Sequence, residues 1–369
     1  MNNTLTALGL ALVLALAAAL VGPLFVDWSA YRDEVARQAG ALLGAPATVA
    51  GPVDVRLLPS PYLRVRGLSA GDGEGRLIAD EVELTLSIGA LLRGDLNAER
   101  VRLVRPRLLL SVGADGAVRA PRGPGAGAGG ERISFARAEI EDGRVEISAP
   151  AGRVTISAVS GFAEAGSLKG PFRFEGHAAS ALGPGTLRLS TGRADAAGNL
   201  RLKLSAALDG RPETFDLDGV LTLAKRPRLD GQIVLARPAG RDGAGPQPWR
   251  VGGKIAGDAE RLQLSALDLR RGPEEKALKL AGDGALTLAP KPRLDLALAA
   301  RQIDLDRTGN TTEGDGAAAR IAALGEALSP FARPPLDMAV TLDLASVVAS
   351  GDVARGVTLD LAAEGGHWR

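Results

Sequence analysis

From Val53 onward the chain alternates apolar and polar residues with a period of two, and no other feature restricts its fold so strongly. In ADEVELTLSI, residues Val82, Leu84, Leu86 and Ile88 share one parity, and Glu81, Glu83, Thr85 and Ser87 share the other. A period of two puts each set on one face of an extended strand; an amphipathic helix would need a period near 3.6. The alternation returns in VDVRL from Val53, LRVRG from Leu63, VRLV from Val101 and RLLLSV from Arg107. It continues in RVTISAV, PFRFEG, GTLRLS, NLRLKLSAALDG, TFDLDG, RLQLSAL, ALKLAG, PLDMAVTLDL and VTLDLAAEG. The 48 Gly and 22 Pro residues supply the turns between these runs. In ARAEIEDGRVEISAP, Asp142-Gly143 reads as a hairpin turn between strands carrying Ile140 and Val145, Ile147. Short strands joined by short turns predict a mainly β, antiparallel meander with few short helices.

The chain offers little for chemistry. Net charge is +1, and no basic stripe interleaves with aromatics, so nucleic acid is not an expected partner. There is no Cys, which removes disulfides, thiol chemistry and Cys-ligated metal. The two histidines, His177 and His367, have no neighbouring ligand set. No Gly-x-Ser-x-Gly elbow, Walker loop or His-Glu-x-x-His occurs. DLDRTGNTTEGD, Asp304 to Asp315, echoes a calcium loop but has Thr308 at its fifth place and Asp315 where Glu belongs; it reads as a turn. The carboxylates alternate along strand faces rather than pairing for acid/base work. No enzyme activity, cofactor or metal is expected.

The N-terminus departs from this pattern. Residues 5–26, LTALGLALVLALAAALVGPLFV, carry no charge and are long enough for a bilayer core of about 30 Å. A cleaved signal peptide is the competing reading, with Ala17-Ala18-Ala19 as its site. The absence of Lys or Arg before the run, and its continuation to Val26, favour a retained transmembrane helix over residues 1–26. DWSAYRDEVARQAGALLGAP then reads as an amphipathic helix capped by Asp27 or Ser29 and ended by Gly44 and Pro46. Its predicted face is Trp28, Tyr31, Val35, Ala39 and Leu42, with Trp28 and Tyr31 placed as membrane-interface aromatics. A first β segment is expected over 27–120, then a Gly/Pro-rich linker over 121–131 (PRGPGAGAGGE). A repetitive β segment is expected over 132–369, with a short helix near 317–329.

A sheet with one apolar face must hide that face: in a sandwich or barrel, under helices, or against an apolar ligand. Predicted helices are too few to cover it, and at 3% aromatic residues the chain lacks the large rings that fill sandwich cores. An aliphatic surface without polar anchors suits an acyl chain. The face of ADEVELTLSI (Val82, Leu84, Leu86, Ile88) is therefore the first candidate for lipid contact. Two near-copies extend it: GVLTLAKRPRLDGQIVLA from Gly219 and GALTLAPKPRLDLALAA from Gly284, 65 residues apart. They add Leu221, Leu223, Leu286 and Leu288, and read as one hairpin used twice to lengthen a surface. An ordinary sheet core is the alternative reading of every one of these positions.

The order of the N-terminal span, VDWSAYRDEV, GAPATVAGPVDVRLLPSPYLRVRGLS and ADEVELTLSIGALLRGDLNAERVRLVRPRLLL resembles the AsmA family over about residues 1 to 112. The resemblance implies an inner-membrane protein with one spanning helix and its bulk in the periplasm. It also implies an elongated, curled β-sheet like the taco-shaped groove of bridge-like lipid transfer proteins. Phospholipids, the inner membrane and other envelope proteins at the distal end are the implied partners. The implied role is phospholipid passage between inner and outer membrane, and the alternative is a non-enzymatic periplasmic scaffold assisting outer-membrane protein assembly. No catalytic residues come with the family. At 369 residues the chain is expected to be a short or truncated member.

Overall fold

The computed structural model describes residues 27–368 apart from 57–59, 73–74, 88, 90–97, 121–134, 151, 166–169, 241–246, 274–276, 289–290, 305–335, 350 and 366. The expected span over 1–26, the linker over 121–131, the helix near 317–329, the calcium-like loop after Asp304, and Ile88 lie outside the described residues. Among those described, no helix is long and apolar enough to cross a membrane.

Asp27 accepts a hydrogen bond from the Ser29 N–H at 3.0 Å and so caps a short 3-10 turn, Trp28–Tyr31, rather than the α-helix itself. Helix α1 (Arg32–Leu43) follows, with Asp33 and Glu34 in its first turn and Gly44 closing it in the left-handed region at φ 64°. Ala36 is buried in α1, and Val35, Ala39 and Gly40 are half-buried beside it. A Cβ on Gly40 would stand 3.0 Å from the Ala45 carbonyl oxygen, so the chain packs closely there. Trp28 and Tyr31 form a tilted pair with centroids 5.9 Å apart, and Tyr31 stays exposed.

Among the described residues twenty-two strands follow. The first eleven are β1 (Ala47–Val49), β2 (Val53–Arg56), β3 (Tyr62–Asp72), β4 (Gly75–Leu86), β5 (Ala98–Val104), β6 (Arg107–Val112), β7 (Val118–Arg119), β8 (Phe135–Ala149), β9 (Gly152–Ala165), β10 (Phe172–Ser180) and β11 (Gly183–Thr191). The rest are β12 (Asn199–Leu208), β13 (Thr214–Thr222), β14 (Arg228–Arg237), β15 (Trp249–Gly257), β16 (Arg261–Arg271), β17 (Leu278–Thr287), β18 (Arg293–Ala300), β19 (Ile303–Asp304), β20 (Asp337–Ala349), β21 (Asp352–Glu364) and β22 (His367–Trp368). They fall into two compact units: residues 1–111, 119–148 and 153–194, and residues 112–118, 149–152 and 195–369.

In the first unit β3 pairs with β1, β2 and β4, and β4 with β5, all antiparallel. The register lines up Val53, Val65, Val82, Leu103 and Ile140 on one face. On the other face Arg64 meets Glu83 at 2.9 Å, Arg66 meets Glu81 at 3.0 Å, and Arg102 meets Glu141 at 2.7 Å. Solvent-facing pairs of this kind contribute little to stability, so the apolar rows, not the ion ladder, set which face is which.

Two expectations need correction. Asp142-Gly143 is not a hairpin: β8 runs straight through it, pairing parallel with β5 as far as Glu141 and with β6 from Arg144. A type I′ turn needs positive φ at both central residues, and here only Asp142 has it, at 51°. The segment is a kink within one long strand, its Asp142 N–H donating to Ser160 Oγ at 3.1 Å. Nor is the pairing wholly antiparallel, because β18 and β20 are also parallel. Parallel neighbours require a connection of a dozen or more residues. The described ends of β6 and β8, and of β18 and β20, are each separated by more than a dozen residues of sequence.

The second unit is a meander in which β12 through β18 pair antiparallel in chain order. β20 then adds beside β18, and β21 beside β20.

Candidate functional site

The register of the second unit builds one apolar face. Following cross-strand partners from β12 to β21 gives Leu200, Leu221, Leu229, Gly257, Leu262, Leu286, Leu294, Met338 and Ala363 in a single row. Three further rows run alongside, through Ile255, Leu217 and Phe215. At about 4.8 Å between strands a nine-strand row is about 38 Å long, and four rows about 6.6 Å apart span about 20 Å. Leu217, Ile255, Leu264, Leu267, Leu298 and Val340 pack as its buried centre. Yet no large side chain among the described residues is under 2% exposed, and Leu235 and Leu359, both on this face, are 36% and 43% exposed. A closed sandwich core would leave its central side chains dry on every side.

Glycines on the same face shape it. A Cβ on Gly219 would lie 2.5 Å from the Asp230 carbonyl oxygen and 2.8 Å from Gly231 Cα. One on Gly284 would lie 2.5 Å from the Asp295 oxygen. Neighbouring backbones therefore close toward the apolar side at these points, a crease only glycine permits. Gly219 and Gly284, and likewise Asp230 and Asp295, are the same positions of the two near-copies.

The near-copies are indeed one hairpin. Leu221 pairs with Leu229, and Leu286 with Leu294. The Leu223 N–H donates to the Gly198 carbonyl at 2.8 Å, and the Leu288 N–H donates to the Glu260 carbonyl at 2.8 Å. The strands that precede and pair with the copies, β12 and β16, are each entered through an Asp whose carboxylate accepts backbone N–H groups, Asp195 from Asn199 and Asp258 from Glu260. Those bonds hold both carboxyls below the usual range.

Of the sequence-predicted lipid-facing residues, Val82, Leu84 and Leu86 share the apolar face of β4, with Val82 buried. Leu221 and Leu286 lie in the row above. Leu223 and Leu288 sit one residue past their strands, and Leu223 is 50% exposed. The β4 set lies in the first unit and the repeat set in the second.

The sequence reading missed a fifth row at one margin of the face, where Arg237 pairs with Trp249 and Trp249 with Arg271. Arg237 forms an ion pair with Glu213 and stands 5.9 Å from the Trp249 ring centroid. The Arg237 hydrogen bond holds the Glu213 carboxyl below its usual range, against a smaller opposing push from burial. The miss has a cause: β16 switches parity at a bulge, Ala266 at φ 50°, so Leu262 and Leu264 share a face with Leu267, Leu269 and Arg271. The signal was present as an apolar parity change across Leu-Ser-Ala. The same change marks the bulge at Ala158 in β9.

A depressed carboxyl stabilises the fold above its unfolded pKa, near 4.3 for Glu, and loses that contribution as pH falls through the folded value. Wild type should therefore melt above a Glu213→Gln variant at pH 7, with the gap closing below about pH 4. Thermal melts across that range check it.

The second unit thus carries a creased, aliphatic sheet face with polar groups on its reverse and at one margin. Among the described residues no cluster of three or more acidic or His side chains could hold a metal. Residues 2–119 match the family model described as AsmA family, the stretch whose motifs resemble that family. That match accords with an envelope-related role. No curated protein and no solved structure matches the chain.

Proposed function

We propose that this chain is an inner-membrane-anchored periplasmic protein that takes lipid acyl chains on its apolar sheet face and serves phospholipid movement between the inner and outer membranes. The observation that carries the reading is the four-row aliphatic face of the second unit, still partly exposed. A contiguous apolar patch beyond a few hundred Å² is unusual for a soluble monomer without an apolar partner. Acyl chains present no hydrogen-bonding groups, and the inward rows present none to meet them. The AsmA match supplies the envelope context, and the role needs no catalytic group.

The test is extraction of the full chain, purified in mild detergent, followed by mass spectrometry of the extract. Phospholipid at or near one molecule per chain is expected. Its absence from protein that circular dichroism shows to be β-folded would overturn the reading in favour of a lipid-free scaffold.

A further inference from the structure

We propose that a hollow on the reverse face of the second unit, between Asp343 and Arg301, binds a small zwitterion, its ammonium at Asp343 and its phosphate at Arg301. The site lies on the face opposite the leucine rows, so it does not rest on the acyl-chain reading above.

Shape is the first argument. By the register Ala281, Ala299, Asp343 and Thr358 stand side by side across β17, β18, β20 and β21. Arg301 follows Ala299 by two residues, Ala345 follows Asp343 by two, and Gly356 precedes Thr358 by two, so all share the reverse face. Three alanines and a glycine leave a hollow of about 560 Å³ among these side chains. Small ligands occupy sites of that volume. A Cβ added to Gly356 would meet nothing within 4 Å, so the floor is open there. The second argument is what borders the hollow. Elsewhere on this face cations meet carboxylates: Lys203 reaches Asp218 at 2.9 Å, and Arg293 reaches Asp295 at 2.7 Å. Asp343 instead accepts one hydrogen bond, from Thr358 Oγ1 at 3.0 Å, and its other oxygen has no partner among the described residues. The Arg301 carbonyl accepts from Ser346 Oγ at 3.2 Å, which ties its backbone to β20, while its guanidinium has no partner among the described residues. Diagonal neighbours on adjacent strands stand about 7–8 Å apart, and the alanines between leave that gap empty. A ligand bearing both charges closes it. Guanidinium meets phosphate oxygens in a planar, two-pronged geometry, and a carboxylate oxygen accepts from an ammonium in a charge-assisted bond.

The full chain in nonionic detergent is titrated with phosphoethanolamine, ethanolamine and inorganic phosphate, as wild type, Arg301→Gln, Asp343→Asn and Ala299→Leu. Wild type should bind phosphoethanolamine roughly tenfold more tightly than either half, the scale of one charge-assisted contact. Arg301→Gln and Asp343→Asn should each remove that advantage. Ala299→Leu fills the hollow and keeps both charges, and should abolish binding; the β-sheet spectrum should stay unchanged in all three. A free zwitterion and a lipid headgroup share this chemistry, so lysophosphatidylethanolamine in the same micelles is a further arm. Binding equal to that of phosphoethanolamine assigns a soluble ligand, and binding roughly tenfold tighter assigns a headgroup. The assignment falls if wild type prefers neither compound to inorganic phosphate, or if folded Arg301→Gln or Ala299→Leu binds as wild type does. The acyl-chain reading stands or falls separately, by the lipid extraction above.

Discussion

Aspartate at both Leu235 and Leu359 is expected to leave the second unit folded and to cut its bound phospholipid by roughly tenfold or more. Both side chains lie on the apolar face, by the pairings of Leu235 with Phe215 and of Leu359 with Leu342. At 36% and 43% exposed they contribute little to the packed centre around Leu217 and Leu264. Without lipid, each new carboxylate reaches water at small cost. With an acyl chain against it, the carboxylate is buried unpaired, which costs several kcal/mol. The loss thus falls on binding rather than folding, which a lipid assay beside a thermal melt resolves. An unchanged lipid content in folded double variant would remove this face from the function.

Gly219→Val should cost about 3 kcal/mol, the upper range for forcing extra atoms into a packed site. The added Cβ would stand 2.5 Å from a backbone oxygen and 2.8 Å from a backbone Cα, and neither can rotate away as a side chain could. For a unit of this size the melting temperature should fall by roughly 6–12 °C. Gly252→Ala is the matched control. It lies in the same sheet with its parity outward, and the nearest atom to its added Cβ is 3.9 Å away. That change should be neutral or stabilise by about 0.5 kcal/mol, through reduced freedom of the unfolded chain. Equal melting temperatures for Gly219→Val and wild type would mean that the crease is not structurally required.

The strands were legible because alternation states the face directly: Val82, Leu84, Glu81 and Glu83 fall where their parity places them. The two-copy hairpin was legible for the same reason. Three things were hidden. Asp142-Gly143 has hairpin composition, but the long-range partners of β8 decide its geometry, and pairing with β5 and β6 keeps the strand continuous. The glycines of the face look like weak points in a strand until the neighbouring carbonyls are in place to explain them. Arg271 sits at a parity that seems polar when counted from Leu262. One bulged residue, Ala266, moves it to the apolar side, and local composition does not announce which side of a bulge the next charge will join.

The central claim is that acyl chains lie on the face carrying Leu235. The most direct measurement places a photo-crosslinking benzoylphenylalanine at Leu235 on that face, or at Gln232 on its reverse, in cells producing the full chain. Mass spectrometry then identifies the adducts after irradiation. The account predicts phospholipid adducts at position 235 and at most traces at 232. Equal labelling of both positions, or adducts confined to 232, would contradict it.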